Sequence, residues 1–314
     1  MSGKTVIVTG ATGFLGRQVV KEFNRRGWNV KGTGFTRADG VSILKVDLAN
    51  ASEVEKVLDE HNPQVVVHCA ANRFPDKVDA DPEGTKKLNV DATRSLAKLC
   101  ASRGILLVYI STDYVFPGRL GDAPHETDAA TGPTNLYGLT KLEGERAVLD
   151  ESSGVVLRVP VLYGPAESNA ESAVNVLMDV VLGVQGPGAN SKAVKMDHWA
   201  LRYPTNTEDV ARVCHDVAVR YLEDSSDCAS LPRVLQFSSE DRYTKYEICQ
   251  LFGEIMGLNI DKIEANTQGN DPAASVQRPF DCKLSTRALR ELGIDVGTQD
   301  FVGWWRREAR AFRK

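Results

Sequence analysis

The 314 residues allow one large α/β domain, or a domain with a smaller companion, at roughly 100 to 200 residues per domain. Hydrophobic residues at 42% and charged residues at 25% fall in the globular range and exclude a disordered, collagen-like or coiled-coil chain. Lys plus Arg number 38 against 42 Asp plus Glu, a net charge of -4, so the basic excess needed for phosphate-backbone binding is absent and no nucleic-acid partner is expected.

Short apolar runs alternate with helical patterns through the first half of the chain. The runs at 5–10, 30–35, 43–48, 64–70, 105–111 and 155–163 read as strands, and several are apolar throughout, as in Val65-Val66-Val67, which suits parallel strands covered on both faces. Helices are expected between them at 13–26, 51–61, 83–103 and 134–150. Strict alternation of this kind predicts an α/β fold, a Rossmann-type doubly wound parallel sheet with a smaller C-terminal substrate lobe. Residues 122–133 and 183–190 read as surface loops, and later helices are expected at 207–223, 245–256, 285–292 and 300–312, with a strand at 234–238. The expected division is an NAD(P)-binding Rossmann domain over 1–163, to which 205–238 returns, and a substrate or partner lobe formed by 164–204 and 239–314.

No apolar run approaches the roughly 18 to 20 residues that span a bilayer, and Met1-Ser2-Gly3-Lys4 leads into the first strand without a signal peptide's apolar stretch. No membrane association and a cytoplasmic location are expected. Cys69, Cys100, Cys214, Cys228, Cys249 and Cys282 are scattered, with no C-x-x-C pair, and read as ordinary thiols. His61, His68, His125, His198 and His215 show no metal-ligand spacing, so no metal is expected.

The first strand runs Val6-Ile7-Val8-Thr9 into Gly10-Ala11-Thr12-Gly13-Phe14-Leu15-Gly16, a G-x-x-G-x-x-G loop that opens a helix. Glycines Gly10, Gly13 and Gly16 let the backbone turn tightly and approach a pyrophosphate, whose charge meets amide N–H groups at the helix start. The second strand ends Gly34-Phe35-Thr36-Arg37, without the Asp or Glu with which an NAD-preferring site holds the adenosine ribose. Arg37, helped by the Thr36 hydroxyl, suits the 2′-phosphate of NADP; the alternative is a solvated surface arginine. Asp47-Leu48 either flanks the adenine or forms a helix cap or loop.

Tyr137-Gly138-Leu139-Thr140-Lys141 places a Tyr and a Lys on one helix face, where the ammonium can lower the tyrosine pKa and reach the nicotinamide ribose. A tyrosine tuned in this way can donate a proton to a carbonyl while hydride arrives from the cofactor. The preceding strand ends Ser111-Thr112-Asp113-Tyr114-Val115-Phe116, which puts the Thr112 hydroxyl beside the same carbonyl oxygen.

Together these residues resemble the extended short-chain dehydrogenase/reductases over essentially the whole chain, and the run 111–116 is similar to the catalytic strand end of dTDP-4-dehydrorhamnose reductases. That resemblance implies Thr112, Tyr137 and Lys141 as a catalytic triad, an NADP (NADPH) cofactor rather than NAD, and a nucleotide-sugar or other small carbonyl ligand. Asn89 matches the helix asparagine of the wider family, with a purely structural role as the alternative. The segments Val67-His68-Cys69-Ala70-Ala71-Asn72-Arg73, Leu157-Arg158-Val159-Pro160-Val161-Leu162-Tyr163-Gly164 and Arg202-Tyr203-Pro204-Thr205 resemble more closely the branch formed by the regulatory β subunits of methionine adenosyltransferase. This branch implies a methionine adenosyltransferase catalytic subunit as partner. It also implies cofactor contacts at Thr12, Gly13, Phe14, Leu15, Phe35, Thr36, Arg37, Asp47, Leu48, Cys69, Arg73, Tyr137 and Leu162. Two departures stand out: Thr36 replaces a further arginine, and the tail Trp304 to Lys314 does not match the docking tail of that branch. The tail reads alternatively as a basic amphipathic helix packed by Trp304 or Trp305. Met196-Asp197-His198-Trp199 with Arg202 suits either stacking and phosphate binding of a nucleotide-sugar or a structural Trp held by an Arg-Asp pair.

Overall fold

The structure, a computed structural model, describes residues 3–186, 193–223, 230–273 and 276–310. Residues 187–190 of the expected 183–190 loop, Cys228 and the tail residues 311–314 lie outside the described residues. A seven-stranded parallel sheet forms the centre. In chain order its strands are β1 (Thr5–Thr9), β2 (Asn29–Gly34), β3 (Ile43–Lys45), β4 (Val65–His68), β5 (Leu106–Thr112), β6 (Val155–Val159) and β10 (Val234–Gln236). Their spatial order is β10-β6-β5-β4-β1-β2-β3, so the strand order reverses between β1 and β4, the place where open α/β sheets form a binding crevice.

Helices cover both faces, and each strand sends alternate side chains to each. Val6 and Val8 of β1 join Val65, Val67, Val108, Leu157 and the helices α1 (Phe14–Arg25) and α8 (Thr207–Glu223) in one apolar layer. Ile7, Val66, Leu107 and Val156 face the layer beneath α2 (Ala51–His61), α5 (Thr93–Ala101) and α6 (Leu136–Glu151). Burial on both faces is why these strands read as continuous apolar runs. Helix ends follow local chemistry: Asn50 caps α2 and Asn135 caps α6 by accepting from Ser52 and Gly138 backbone N–H groups.

The expected strand at 155–163 is two strands. Pro160 has no N–H to continue the ladder, so β6 ends at Val159, and β7 (Leu162–Tyr163) pairs instead with β9 (Thr205–Asn206). The expected helix at 83–103 is likewise divided into α4 (Pro82–Lys86), a π-helical turn over Lys87–Ala92, and α5. A further short helix, α3 (Pro75–Ala80), precedes it.

A second apolar cluster lies after β6. It joins Tyr163, Leu177, Met178, Ile248, Phe252, Phe301, Trp304 and Trp305 from β7, α7 (Val176–Gly183), α9 (Lys245–Met256) and α11 (Phe301–Glu308). A short parallel pair, β8 (Val194–Asp197) with β11 (Ile263–Asn266), borders it, and α10 (Arg287–Glu291) packs near β10. Trp304 and Trp305 are both buried while Arg306 and Arg307 are exposed, as an amphipathic helix packed by its tryptophans requires. No described helix is long and apolar enough to cross a membrane.

Candidate active site

Because the strands are parallel, the loops after β1, β2, β4 and β5 all leave the same edge of the sheet. After β1, Gly10 takes φ +65°, and a Cβ there would stand 2.8 Å from Ala70 N; a Cβ on Gly16 would stand 2.1 Å from Gly10 O. These glycines therefore set how closely α1 approaches β1 and the β4 end. At the start of α1, Gly13 offers no capping side chain and the first turn carries no acidic residue, so the N-terminal N–H groups of a twelve-residue helix remain open to an anion. The pyrophosphate of a dinucleotide fits this donor set.

At the β2 end, Phe35 is exposed with the Lys45 ammonium 5.9 Å from its ring centroid. Thr36 and Arg37 follow, both exposed. The Arg37 guanidinium is not free. Its Nη1 lies 3.2 Å from Oε2 of Glu167 and 3.2 Å from Oε1 of Glu171. Arg17 on α1 joins them, 2.5 Å from Glu171 Oε2 and 3.3 Å from Glu167 Oε2, and also donates to Thr12 O. Arg17 and Arg37 together hold the Glu171 carboxyl down to about 2, against the cost of its burial. Asp47 accepts from Ala49 N at 2.9 Å, ordering the turn into α2, and Leu48 packs among the apolar residues beneath it.

The β4 end is fixed by side chains whose sequence signal is weak. His68 is buried between Thr9 and Thr93, whose hydroxyls lie 2.6 and 3.0 Å from its ring nitrogens, and burial lowers its pKa to about 3, so the ring is neutral. Asn89, in the π-helical turn, accepts from Asn72 N at 2.8 Å and donates to Asn72 O at 2.9 Å and Thr140 Oγ1 at 3.2 Å. It clamps the Cys69–Arg73 loop to α6. Arg73 stacks on Phe74, 4.4 Å from the ring centroid, and reaches Phe14 at 5.8 Å. Burial raises the Cys69 thiol to about 12, which leaves it uncharged.

Thr112, Tyr137 and Lys141 come together where β5 meets α6. A Cβ on Gly138 would stand 2.2 Å from Tyr114 O, so glycine lets the helix press onto the strand end. The Tyr137 hydroxyl meets that of Thr112, whose Oγ1 in turn donates to Asp113 at 3.0 Å. Burial raises Tyr137 to about 12, opposed by the Thr112 hydrogen bond and the Arg73 charge. The Lys141 ammonium sits 4.0 Å from the Tyr109 ring centroid, and burial lowers its pKa to about 7 despite the opposing carboxylate of Glu145. Asp113 is also buried, which raises it to about 6.

Glu145 was not singled out by the sequence reading. It is buried, accepts from Ser111 Oγ at 2.5 Å, and forms a two-point pair with Arg158 at 2.9 and 2.8 Å. The signal available in the sequence is spacing: Tyr137, Lys141 and Glu145 recur every four residues on one helix face.

Beyond Tyr137 a cavity of about 130 Å³ opens between the sheet and the second apolar cluster. Tyr114, Arg202, Lys245 and Arg278 line it, and the Tyr114 and Tyr137 ring centroids are 6.0 Å apart. Asp197 accepts from Trp199 and Ala200 backbone N–H groups and approaches Arg202 only at 4.0 Å; Trp199 packs on Phe280. Leu162 sits half-buried on β7.

Residues 4–302 match the RmlD substrate binding domain. The chain is 40% identical over 302 residues to methionine adenosyltransferase 2 subunit beta of Xenopus tropicalis, covering 96% of this chain and 86% of that protein. It is 38% identical to a dTDP-4-dehydrorhamnose reductase of Streptomyces griseus, over 165 residues that make up 52% of this chain and 51% of the relative. The fold matches the crystal structure of dTDP-4-dehydrorhamnose reductase from Bacillus anthracis in complex with NADP, with a TM-score of 0.79 at 22% identity, covering 97% of this chain and 98% of that one. With the match running from the first strand to α11 and near-full-length relatives at this identity, the chain belongs to the RmlD substrate binding domain family.

Proposed function

We propose that this chain binds NADP in the crevice and serves in the cytoplasm as a regulatory β-type subunit that associates with a methionine adenosyltransferase catalytic subunit. The observation that carries this reading is the extent of the sequence likeness: 40% identity spans 96% of the chain for the β subunit, whereas the identity to the Streptomyces griseus reductase spans 52%. The five described cysteines are free thiols, which suits a reducing compartment. We further propose the division into a cofactor domain over 1–163 with 205–238, and a partner or substrate lobe over 164–204 with 239–314.

In this reading the open N–H groups after Gly13 hold the pyrophosphate. Arg37 faces the 2′-phosphate, with Thr36 beside it. Phe35, Asp47 and Leu48 flank the adenine, and Cys69, Arg73 and Leu162 border the rest of the cofactor. No acid at the β2 end favours NAD. Mixing the purified chain with the catalytic subunit should give a complex of higher mass when NADP is present. Calorimetric titration should show tighter binding of NADP than NAD, with Arg37→Ala weakening NADP selectively. Absence of a complex removes the partner reading, and equal cofactor affinities remove the role of Arg37.

A second reading, an NADPH-dependent reductase of a nucleotide-sugar or other small carbonyl, is favoured by the Thr112–Tyr137 hydroxyl pair, with Tyr137 next to the cavity-lining Tyr114. Bound NADPH supplies hydride at its nicotinamide ring. Tyr137 would donate the proton, Thr112 would orient the carbonyl oxygen, and Lys141 would bind the nicotinamide ribose. Tyr137→Phe should lower turnover on the order of 100 to 10,000-fold with cofactor binding nearly intact. NADPH oxidation that survives this substitution rejects the reading.

A further inference from the structure

Glu171 sits among cations from three loops that leave the same edge of the sheet. Arg17, after β1, meets it with Nη1 at 3.0 Å and Nη2 at 2.5 Å; Arg37, after β2, reaches it with Nη1 at 3.2 Å. Arg73, after β4, lies within electrostatic reach of all three groups. Glu171 itself comes from the connection between β7 and α7, which is folded on itself. Ser172 Oγ donates to Leu162 O and accepts from the Val174 and Asn175 N–H groups, and Asn175 Nδ2 donates to Gly164 O. Val174 belongs to the second apolar cluster, so the connection is rooted in the lobe while Glu167 and Glu171 carry it across to α1 and the β2 end. The two carboxylates are held unequally. Glu171, with its side chain 12% exposed, has the two-point pair with Arg17 and accepts from the Glu167 backbone N–H at 3.0 Å. Glu167, at the tip, meets Arg17 and Arg37 through one oxygen only, at 3.3 and 3.2 Å.

We propose that residues 164–172 form a strap across the cofactor crevice, whose Glu167 tip lifts when Arg37 engages the 2′-phosphate of NADP and stays latched with NAD. Arg17 and Arg37 cancel Glu167 and Glu171, so the cluster is neutral as it stands, and a phosphate of charge about -2 beside Arg37 leaves negative charge in excess. Glu171 cannot relieve this by taking up a proton: despite its burial, Arg17, the Glu167 N–H and Arg37 hold its carboxyl down to about 2. The two-point pair keeps Glu171 on Arg17, so relief falls to Glu167, which loses Arg37 and turns to solvent. A ligand shifts such an equilibrium only by its differential contacts, and NAD lacks the one group that competes for Arg37. The inference rests on the reading that NADP fills the crevice with Arg37 at its 2′-phosphate. It adds that the lobe senses which cofactor is bound, through the segment leading into α7.

The test is hydrogen exchange on the full chain, alone and saturated with NADP or NAD. The Glu167 amide donates to Glu171 Oε2, so its exchange rate reads the state of the tip directly. We expect exchange across 165–168 to rise on the order of threefold or more with NADP, and to stay at or below the cofactor-free rate with NAD. The Asn175 amide, bonded to Ser172 at the root, should keep its rate with both. In Arg37→Ala the tip should exchange fast without cofactor and respond no further to NADP. Exchange at 165–168 that falls with NADP overturns the proposal, because the strap then closes over the bound cofactor whatever its phosphate. Calorimetry on the same samples separates the two ways to fail. NADP that binds more tightly than NAD through Arg37, yet leaves 165–168 unchanged, rejects the strap alone. Equal cofactor affinities that Arg37→Ala does not alter reject the role of Arg37 and the strap together.

Discussion

Arg158 and Arg202 are both buried, and the molecule treats them in opposite ways. Arg158 spends every nitrogen: Nε and Nη2 on Glu145, Nη1 on Thr127 O and on Gln236 across the β6–β10 register, with its guanidinium 5.0 Å from the Phe116 ring centroid. Arg202 donates only to the Leu201 and Pro279 carbonyls, and its Nη2 makes no hydrogen bond and stands 4.0 Å from Asp197 Oδ2. The first arrangement is complete and closes the sheet beneath α6; the second is incomplete and faces a cavity. A buried charge held by direct hydrogen bonds on every nitrogen is a stronger joint than one held by two carbonyls and longer-range charges, and substitutions at the two should differ in size.

The largest effect is expected at the complete joint. Glu145→Gln leaves Arg158 buried without its carboxylate and sets an NH2 donor against one of its guanidinium nitrogens, so urea unfolding should show a loss of about 3–5 kcal/mol. Replacing both partners by apolar residues should recover part of it, since the remaining cost is then packing. A loss below about 1 kcal/mol in Glu145→Gln, the range of an exposed pair, would put Arg158 and Arg202 in the same class and break the comparison.

Asn89 extends the same logic to a neutral side chain. Asn89→Ala strands the backbone N–H and C=O of Asn72, so a loss of about 1–3 kcal/mol is expected, together with a loosened Cys69–Arg73 loop that hydrogen exchange at Asn72 would report. Native exchange rates at Asn72 in the variant would mean that Thr85 alone holds the loop.

What the sequence disclosed follows from this division between repeated and singular features. Strands buried on both faces repeat a pattern over several residues, so β1, β4 and β5, the glycine loop and the alternation that defines the fold were legible. The break after Val159 is a single Pro160. The apolar run of α7 has no polar face to give it a helical period, and β8 and β11 are only four residues each. At the site, Tyr137 and Lys141 are legible as a pair from their spacing, but the position of Lys141 over Tyr109 and the action of Arg73 on Tyr137 depend on tertiary contacts. Asn89 was named with both of its roles open, and its bonds to Asn72 follow from a π-helical turn that no periodicity marks. The cavity beyond Tyr114 draws Arg202, Lys245 and Arg278 from three distant segments, a convergence invisible in one dimension.

Lys141 tests the intermediate case, a buried cation with a carboxylate nearby but no hydrogen bond to it. Its pKa falls from 10.5 to about 7 in the folded chain. Between these values the unfolded chain binds more protons than the folded one, so this residue makes stability rise with pH across that window and contributes a constant penalty below it. Lys141→Met should raise stability near neutral pH and flatten the rise between pH 7 and 10.5. Urea midpoints for parent and variant across this range decide it. Parallel curves would mean that Lys141 is as well solvated as a surface lysine.

The smallest expected effect is at the exposed end of the crevice, where Arg17 and Arg37 are paired but wet. Glu167 stands 3.3 and 3.2 Å from the two guanidinium groups with its side chain 62% exposed, so the pairs themselves add little to stability. Their consequence is for binding. A 2′-phosphate that approaches Arg37 meets the Glu167 and Glu171 carboxylates already there, and must share or displace them. Glu167→Gln removes one competing charge while leaving the half-buried Glu171 to position Arg17. NADP affinity should therefore rise about two- to fivefold at low salt, with NAD affinity unchanged and the gain shrinking as ionic strength screens the exposed charges. Weaker NADP binding in this variant would mean that Glu167 holds Arg37 in its binding position, and that the pairing is preparation for the phosphate rather than competition with it.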